Sequence, residues 1–437
     1  MKNKKYIFLI LILIIAILTL TGQGCKKKEK KQVVQKMEIN WWGLWDSQDI
    51  FQDQITVYQK ARPGVKINYR KLTITEYEKE VVDALAAGKG PDIWLIHNTW
   101  LPKHIDKLAP MPDSVMTSDI YRETFVDVAA NDLTGFDGKI YGIPFSVDTL
   151  ALYYNKDLLG TAGIAAPPQN WTEFKEDVKK LTRTDAFGNI TLAGAAMGTA
   201  KNVNRAIDIL YLLMLQNGTE MTDEKRTKAT FDAKARTAEG ETYVPGLDAL
   251  IFYTDFANPK KAVYTWNSIM PYSIDAFVEE KAAMMFNYSY QDATIKAKAP
   301  KLNYAVAPVP QIEGTTKKVN FANYWAAVVS KTSPNQELAW DFLAYMAKKE
   351  NIKGYVEVTK RPASRRDVIE EQLADPFLKV FAEQALTAKS WYQIDSAAIE
   401  GIFSNLIEGV ALGEKDPEKG LKEAVDQVTA LMKVKGK

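Results

Sequence analysis

The residues of this chain best suited to chemistry are aromatic side chains and carboxylates that follow predicted β-strands. Trp45 and Asp46 come after a first strand, and His97 and Trp100 come after a third. An aromatic ring can stack on the C–H face of a sugar, while a neighbouring carboxylate accepts hydrogen bonds from its hydroxyls. Because open α/β sheets collect ligands at strand ends, these loops are candidate parts of one site. A core tryptophan and a helix cap are the alternative for Trp45 and Asp46.

Later segments supply further candidates of the same aromatic or polar character. A buried carboxylate needs partners, so Asp148 is either bonded to backbone groups or offered to a ligand. For each aromatic residue taken singly, core packing explains its presence as well as ligand contact does. The prediction of a binding site therefore rests on the whole set, which adds Asp148, Arg205, Trp266, Asn267, Tyr288, Tyr290, Tyr324, Trp325 and Trp391.

Sequence patterns for catalysis or metal binding are missing. The two histidines, His97 and His104, lack the carboxylate or cysteine spacing of a metal site. Neither a G-x-S-x-G motif nor a phosphate-cradling glycine loop occurs. We therefore predict no enzymatic activity, no cofactor and no metal. A glycosidase needs only two carboxylates and stays an alternative, as does an adhesin, although the chain has no repeats.

The first 36 residues have the pattern of export and anchoring segments. Residues 1–24 join a lysine-rich head to an apolar run, as in a signal peptide. Cys25, the only cysteine, follows small residues in a way that resembles a bacterial lipobox, although Gly22 replaces the commoner leucine. We predict that Cys25 is lipidated and that residues 25–36 form a polar tether. The protein is then extracytoplasmic and anchored to the cell membrane by its lipid; a plain signal peptide is the alternative.

The charge balance argues against a nucleic-acid partner. The chain has 56 basic and 54 acidic residues. The signal region holds three of the basic residues, and the tether holds six of them with one acidic residue, so residues 37–437 carry a formal charge of −6. No basic patch interleaved with aromatic residues stands out, and we predict no contact with nucleic acid.

The remaining 400 or so residues predict an α/β protein with two lobes. This length exceeds one ordinary hydrophobic core, and strands alternate with amphipathic helices. Residues 37–42, 65–69 and 90–96 are the first predicted strands. Thr75 and Glu78 form a predicted capping box for the helix between the second and third strands.

Three further segments give specific expectations. Val147–Tyr154 is an apolar, β-rich run, after which Asn155 starts a short helix. Asn170 or Thr172 can cap the next helix. Trp391–Val428 is predicted to be helical.

The order of motifs from Lys139 to Phe174 carries a family resemblance. A glycine and a proline precede "DTLALYYNKDL", which begins at Asp148, and a proline-rich turn and "WTEF" follow. This string resembles family 1 extracellular solute-binding proteins, the sugar-binding components of ABC importers. "PGVKINY", "GKGPDIW" and "FVEEKAAM" stand in matching order, although Glu280 replaces a usual glycine.

The resemblance implies a periplasmic-binding-protein-like fold, with hinge strands and a cleft between two lobes. The N-terminal lobe would comprise residues 37–147 plus about 309–359, and the C-terminal lobe about 148–308 plus 360–437. It implies a monomer that captures a mono- or oligosaccharide and delivers it to ABC permease subunits. A peptide or polyamine ligand is the alternative.

One loop and one aromatic position compare directly with maltose-binding proteins. In those proteins the loop after the third strand carries a tryptophan, an aspartate and an arginine, whereas Ile96, Thr99 and Trp100 stand here. Tyr290 falls where those proteins place a stacking tryptophan. The resemblance therefore does not extend to maltose itself.

Overall fold

A computed structural model describes residues 36–237 and 239–435. The predicted signal peptide, Cys25 and nearly all of the predicted tether lie outside these residues. The chain from Met37 onward forms one compact unit. Within the described ranges, no helix combines the length and apolar character that crossing a bilayer requires.

Strands and helices are distributed along the whole described chain. The strands, β1 to β16 in chain order, are Met37–Leu44, Val65–Leu72, Ile93–His97, Leu108–Ala109, Ile143–Pro144, Asp148–Thr149, Ala151–Asn155, Arg183–Thr184, Ile190–Leu192, Ala235–Arg236, Thr242–Tyr243, Met284–Asn287, Tyr304–Ala307, Asn320–Asn323, Trp325–Ser330 and Ala388–Lys389. The α-helices, α1 to α17, are Gln52–Ala61, Ile74–Ala86, Leu101–His104, Ser118–Thr124, Asp127–Asp132, Lys156–Thr161, Trp171–Leu181, Ala206–Gln216, Pro245–Asp255, Ser273–Val278, Gln291–Lys298, Gln336–Met346, Lys349–Thr359, Arg366–Gln372, Leu378–Ala385, Ser396–Ala411 and Pro417–Lys435. Two 3₁₀ segments are Gln48–Phe51 and Ile105–Lys107.

The first lobe is built on a six-stranded sheet. Its order is β2–β1–β3–β15–β4, and β5 also pairs with β15. β1 runs parallel to β2 and β3, whereas β15 is antiparallel to β3. Since parallel neighbours end at the same edge, the loops after β1 and β3 lie next to each other. This arrangement brings Trp45 and His97 to one side of the sheet.

The second lobe has a smaller sheet. β12, β7 and β13 form an antiparallel, three-stranded sheet with β7 in the centre. Tyr153 at the centre of β7 is fully buried. Its hydroxyl donates a 2.8 Å hydrogen bond to the carbonyl of Tyr288.

The described residues form two separate hydrophobic cores. The first contains Trp41, Trp94 and Phe342 among others. The second contains Phe174 and Phe403 among others. Two cores in one unit are what a two-lobed chain of this length requires.

The chain passes from one hydrophobic core to the other at identifiable residues. Val147 packs in the first core and Leu150 in the second. Ala363 and Val368 pack in the first core, although the predicted C-terminal lobe includes residues 360–437. Core packing alone does not fix the point near residue 360 at which the chain returns to the second lobe, and the predicted lobe boundaries stay a proposal.

A short ladder joins the two lobes. β6 pairs antiparallel with β14, so that Asp148 lies opposite Asn323 and Thr149 opposite Ala322. The predicted strand from Val147 to Tyr154 is thus divided into β6 and β7 at the buried Leu150. These crossing strands are positioned to act as a hinge.

The helix starts predicted after the crossing are confirmed. The side chain of Asn155 accepts hydrogen bonds from the backbone N–H groups of Asp157 and Leu158 at 2.9 and 3.0 Å. Asn170 accepts one from the N–H of Glu173 at 2.8 Å. Each bond satisfies a donor that the first turn of a helix leaves free.

The predicted capping box is wrong. The helix begins at Ile74, its N-cap is Thr73, and no side chain caps it. Glu78 instead pairs with His104 at 2.9 Å and Lys103 at 2.7 Å. These tertiary partners outcompete the local backbone donor for the carboxylate.

The C-terminal segment is also less continuous than predicted. Trp391–Val428 contains two helices, Ser396–Ala411 and the start of Pro417–Lys435. Gly413 has a φ of 71°, a left-handed conformation that ends the first helix.

Candidate ligand-binding cleft

A cavity of about 290 Å³ opens between the two lobes at the hinge. Residues from both lobes and from the hinge strands line it. Those with polar or aromatic side chains are Trp41, Trp45, Asp46, Phe51, Tyr69, Phe145, Ser146, Asp148, Arg205, Tyr290, Asn323, Tyr324, Trp325, Tyr355 and Arg361. Concave sites with aromatic walls and a few polar groups are typical of small-molecule binding.

The first lobe contributes an aromatic wall. Trp325 contacts Trp45, Trp100 and His97 edge to face, with ring centroids 6.4, 5.0 and 5.5 Å apart. Trp45 is 46% exposed, so its ring is available to a ligand. Burial lowers the pKa of His97 to about 4, and the ring is neutral near pH 7.

Trp45 holds an unusual backbone conformation. Its φ is 62°, in the left-handed region that costs a non-glycine residue about 1–2 kcal/mol. Neighbouring contacts fix the loop: the Tyr69 hydroxyl donates to the carbonyl of Asp46 at 2.9 Å. A side chain on Gly43 would overlap the Tyr69 ring. The loop is therefore built to present Trp45 to the cavity.

The carboxylate of Asp46 is held by Arg361 and Tyr355. Two guanidinium nitrogens of Arg361 lie 3.0 and 2.9 Å from its two oxygens. The Tyr355 hydroxyl donates to the same carboxylate at 2.9 Å, and Arg361 also donates to that hydroxyl. The Asp46 carboxylate thus anchors the loop after β1, while all three residues still line the cavity.

Asp148 lies at the hinge and receives hydrogen bonds from Ser289 of the second lobe and from the next residue of its own strand. The Ser289 hydroxyl donates at 2.7 Å and its backbone N–H at 3.0 Å, and the N–H of Thr149 donates at 2.9 Å. Burial raises the pKa of the Asp148 carboxyl to about 6, although these hydrogen bonds act to lower it. The side chain lines the cavity, but its hydrogen-bond partners are Ser289 and Thr149 at the hinge.

The second lobe contributes Arg205 and Tyr290. Arg205 precedes α8 with a φ of 64°, and its guanidinium donates to the Tyr290 hydroxyl at 2.6 and 3.0 Å. The guanidinium also lies over the ring of Tyr288, 5.4 Å from the centroid. Tyr290 stacks against Tyr288 and is 43% exposed. Arg205 therefore fixes an aromatic ring that faces the cavity.

A second cavity of about 330 Å³ adjoins the first and shares Trp45, Arg205, Asn323 and Trp325 with it. The predicted residues His97 and Trp100 line this second cavity. The Trp100 indole donates to the hydroxyl of Ser396 at 3.1 Å, which joins the first lobe to α16. The other polar or aromatic residues around it are Thr99, Asp208, Tyr211, Phe321, Gln393, Ser396 and Glu400.

Four predicted residues line neither cavity. Trp266 and Tyr288 are fully buried, and their polar atoms bond to Asn202 and Asp208. Asn267 bonds to Tyr264 through its side chain. Trp391 is 7% exposed and lines a separate cavity.

Tyr324 lines the first cavity, but its hydroxyl turns away from it. The hydroxyl donates to the buried carboxylate of Asp132 at 2.9 Å.

Several cavity residues were not among the sequence candidates. Arg361 lies 315 positions from Asp46, and nothing near it in the sequence marks that contact. Asn323 directly precedes the predicted Tyr324–Trp325 pair, and Glu400 is a single carboxylate in the run "SAAIEGIF". Those two local signals could have identified them. The other polar or aromatic cavity residues outside the predicted set are Trp41, Phe51, Tyr69, Thr99, Phe145, Ser146, Asp208, Tyr211, Phe321, Tyr355, Gln393 and Ser396.

Comparisons with known proteins agree with this architecture. A family model described as bacterial extracellular solute-binding protein matches residues 45–353. The maltodextrin-binding protein MdxE of Bacillus subtilis is 26% identical over 405 residues, which cover 86% of this chain and 88% of that protein. A galactooligosaccharide-binding protein of Bacillus subtilis is 21% identical over 426 residues, covering 94% of each.

Solved structures show the same two-lobed fold. The cyclic alpha-maltosyl-1,6-maltose binding protein from Arthrobacter globiformis superposes with a TM-score of 0.75 at 19% identity, covering 91% of this chain and 100% of that one. The sugar-binding protein MalE from Xanthomonas citri gives a TM-score of 0.74 at 19% identity, covering 91% and 97%. At these identities the likeness establishes the fold.

Proposed function

The chain belongs to the bacterial extracellular solute-binding proteins, and we propose that it captures a carbohydrate in the cleft between its lobes. Proteins of this family bind solutes without converting them, so the chain is a binding protein and not an enzyme. The names of its relatives, which bind maltodextrin and galactooligosaccharides, support a mono- or oligosaccharide as the ligand class.

The observation that carries this proposal is a pair of exposed rings, one from each lobe, that line one cavity. Trp45 from the first lobe is 46% exposed and Tyr290 from the second is 43% exposed, and both line it. The guanidinium of Arg205 lies beside Tyr290 and supplies hydrogen-bond donors at the ring's edge. Aromatic plates with polar edges match the C–H faces and hydroxyls of a sugar ring.

We propose lobes of residues 37–147 plus about 309–359 and of about 148–308 plus 360–437, which close around the ligand. The closed state gains contacts from both lobes, so a ligand that touches both shifts the population toward closure. β6 and β14, which cross between the cores, would bend during this motion. The closed form would then dock on ABC permease subunits.

The remaining parts of the proposal concern location and assembly. We propose that the protein works as a monomer outside the cytoplasm, held at the cell membrane by lipid on Cys25. Two acyl chains would suffice for stable anchoring, because a single chain gives only marginal membrane binding. Residues 25–36 would act as the polar tether between lipid and lobes.

Thermal unfolding of the body from Met37 onward tests the ligand class. The panel holds mono- and oligosaccharides, amino acids, peptides and polyamines. A ligand at a hundredfold its dissociation constant adds about 2.7 kcal/mol of stability, which is easily seen as a raised melting temperature. A rise with a saccharide that is recovered unchanged supports the proposal. A rise only with peptides or polyamines contradicts the ligand class, and consumption of the saccharide indicates a glycosidase.

A further inference from the structure

The second cavity of the cleft contains a group of polar side chains that do not line the first. We call Asp208, Tyr211 and Glu400, with the adjoining Gln393 and Ser396, the inner compartment. It lies next to Arg205 and Trp325, which both cavities share. A ligand in the cleft can therefore extend into it.

The hydroxyl of Tyr211 is buried without a partner. Tyr211 is 3% exposed, its ring packs against Phe321, Trp391 and Phe403, and its hydroxyl oxygen has no hydrogen-bond partner among the described residues. An unsatisfied buried hydroxyl costs roughly the desolvation free energy of that group. Such groups are rare in native proteins, and a ligand that bonds to this hydroxyl explains why it is retained.

Glu400, a second acidic group of this compartment, is an exposed residue whose carboxylate has no protein partner among the described residues. Within residues 36–237 and 239–435, no side chain or backbone group forms a hydrogen bond or ion pair with its carboxylate. Lys201 lies with Glu400 around a neighbouring cavity, but the two form no ion pair. The pKa of Glu400 is raised by partial desolvation of its carboxyl and by the charge of Asp208, whereas the charge of Arg205 lowers it. A positively charged ligand beside Glu400 would relieve the repulsion between the two carboxylates.

Asp208 is only partly neutralised. Its carboxylate accepts from the Tyr288 hydroxyl at 2.8 Å, and the Arg205 guanidinium lies 3.9 Å away. That guanidinium directs its short hydrogen bonds to Tyr290 instead. With one cation beside two carboxylates, the site has a formal charge of −1.

We propose that the inner compartment binds a protonated amino group, and that the ligand is an amino-substituted saccharide held there by Glu400, Asp208 and the Tyr211 hydroxyl. This inference rests on the proposed carbohydrate ligand and specifies its chemistry. An ammonium group has three N–H donors, and Glu400, Asp208 and the Tyr211 hydroxyl are three acceptors for them. Its positive charge also cancels the excess negative charge, which a neutral hydroxyl does not do.

Calorimetric titration of matched sugar pairs tests the proposal on the purified protein. The pairs are glucosamine with glucose, galactosamine with galactose, mannosamine with mannose, and the β-1,4-linked glucosamine dimer with cellobiose. We expect the amine to bind at least about tenfold more tightly than its neutral partner in one or more pairs, as hydrogen bonds to charged groups give.

Two variants connect this preference to the compartment. Glu400→Gln removes the charge at nearly the same size, and the preference for the amine should vanish. Glu414→Gln, at an exposed glutamate that lines neither cavity, is the matched control and should keep it. Tyr211→Phe should weaken amine binding several-fold, yet its melting temperature should stay equal or rise because the hydroxyl has no partner to lose.

The proposal is overturned if no sugar amine binds, if the neutral member binds at least as tightly in every pair, or if the preference survives in Glu400→Gln. Neutral saccharides that bind while amines do not would leave the carbohydrate function standing and remove only this inference. The carbohydrate function itself fails if no saccharide, neutral or aminated, raises the melting temperature.

Discussion

Replacing Asp46 by asparagine should destabilise the protein even without ligand. The carboxylate is paired with Arg361 through both oxygens, at 3.0 and 2.9 Å, and accepts from Tyr355 at 2.9 Å. The side chains of Asp46 and Arg361 are 10% and 24% exposed, so the pair is largely out of water. Asp46→Asn leaves the Arg361 guanidinium without its charged partner.

The expected cost follows from this geometry. Removing one partner of a fully buried ion pair costs about 3–5 kcal/mol. Because Arg361 keeps some contact with water, we expect Asp46→Asn to lower the free energy of unfolding by about 2–4 kcal/mol. Arg361→Met, which keeps the apolar stem, should cost a similar amount. In the double variant the losses should fall short of their sum by at least about 1 kcal/mol.

Urea unfolding followed by circular dichroism measures these free energies. Glu80→Gln is the control, because Glu80 pairs with Arg70 at 2.6 Å on the surface, where side chains are 37% and 53% exposed. Such a pair contributes at most about 1 kcal/mol. The reasoning is refuted if Asp46→Asn costs no more than Glu80→Gln and the double variant is simply additive. In that case the Asp46 carboxylate would not stabilise the fold, and its role would be confined to ligand binding.

Three further results are expected. Trp45→Gly should change the free energy of unfolding by no more than about 1 kcal/mol, since glycine relieves the left-handed backbone, but should weaken saccharide binding at least about tenfold in calorimetry; unchanged binding would remove Trp45 from the site. Asp148→Asn should alter the pH dependence of stability. The folded pKa of Asp148 is raised to about 6, so its contribution is greatest at low pH and is lost as the pH rises through 6. The stability advantage of wild type over the variant should therefore shrink by about 1.4 kcal/mol between pH 5 and 7.5 in urea unfolding, and a constant difference would contradict the raised pKa. Cys25→Ser should move the protein from the membrane fraction to the soluble fraction in cell fractionation, and continued membrane association would exclude lipid on Cys25 as the anchor.

Local signals in the sequence predicted local structure well. Asn155 and Asn170 start helices because a short polar side chain can reach the free N–H groups of the first turn. The βαβα order of sequence patterns predicted the first three strands of the first sheet, whereas β4, β5 and β15, which complete that sheet, were not predicted.

Features that depend on distant partners could not be predicted in this way. Glu78 leaves its capping role because His104 is brought beside it by the fold. Arg361 enters the cleft only because it folds back onto Asp46. Trp266 and Trp45 are both tryptophans, yet Trp266 is fully buried and Trp45 is 46% exposed. The residue type shows what a side chain can do, whereas tertiary packing decides whether a ligand can reach it.

Calorimetric titration with the saccharide that raises the melting temperature tests the central claim most directly. It compares wild type with Tyr290→Ala and with Phe187→Ala, whose 91% exposed ring lines neither cavity. A cleft ligand predicts one site per chain, an affinity at least about tenfold lower in Tyr290→Ala, and no change in Phe187→Ala. Equal affinity in all three proteins would contradict carbohydrate capture between the lobes.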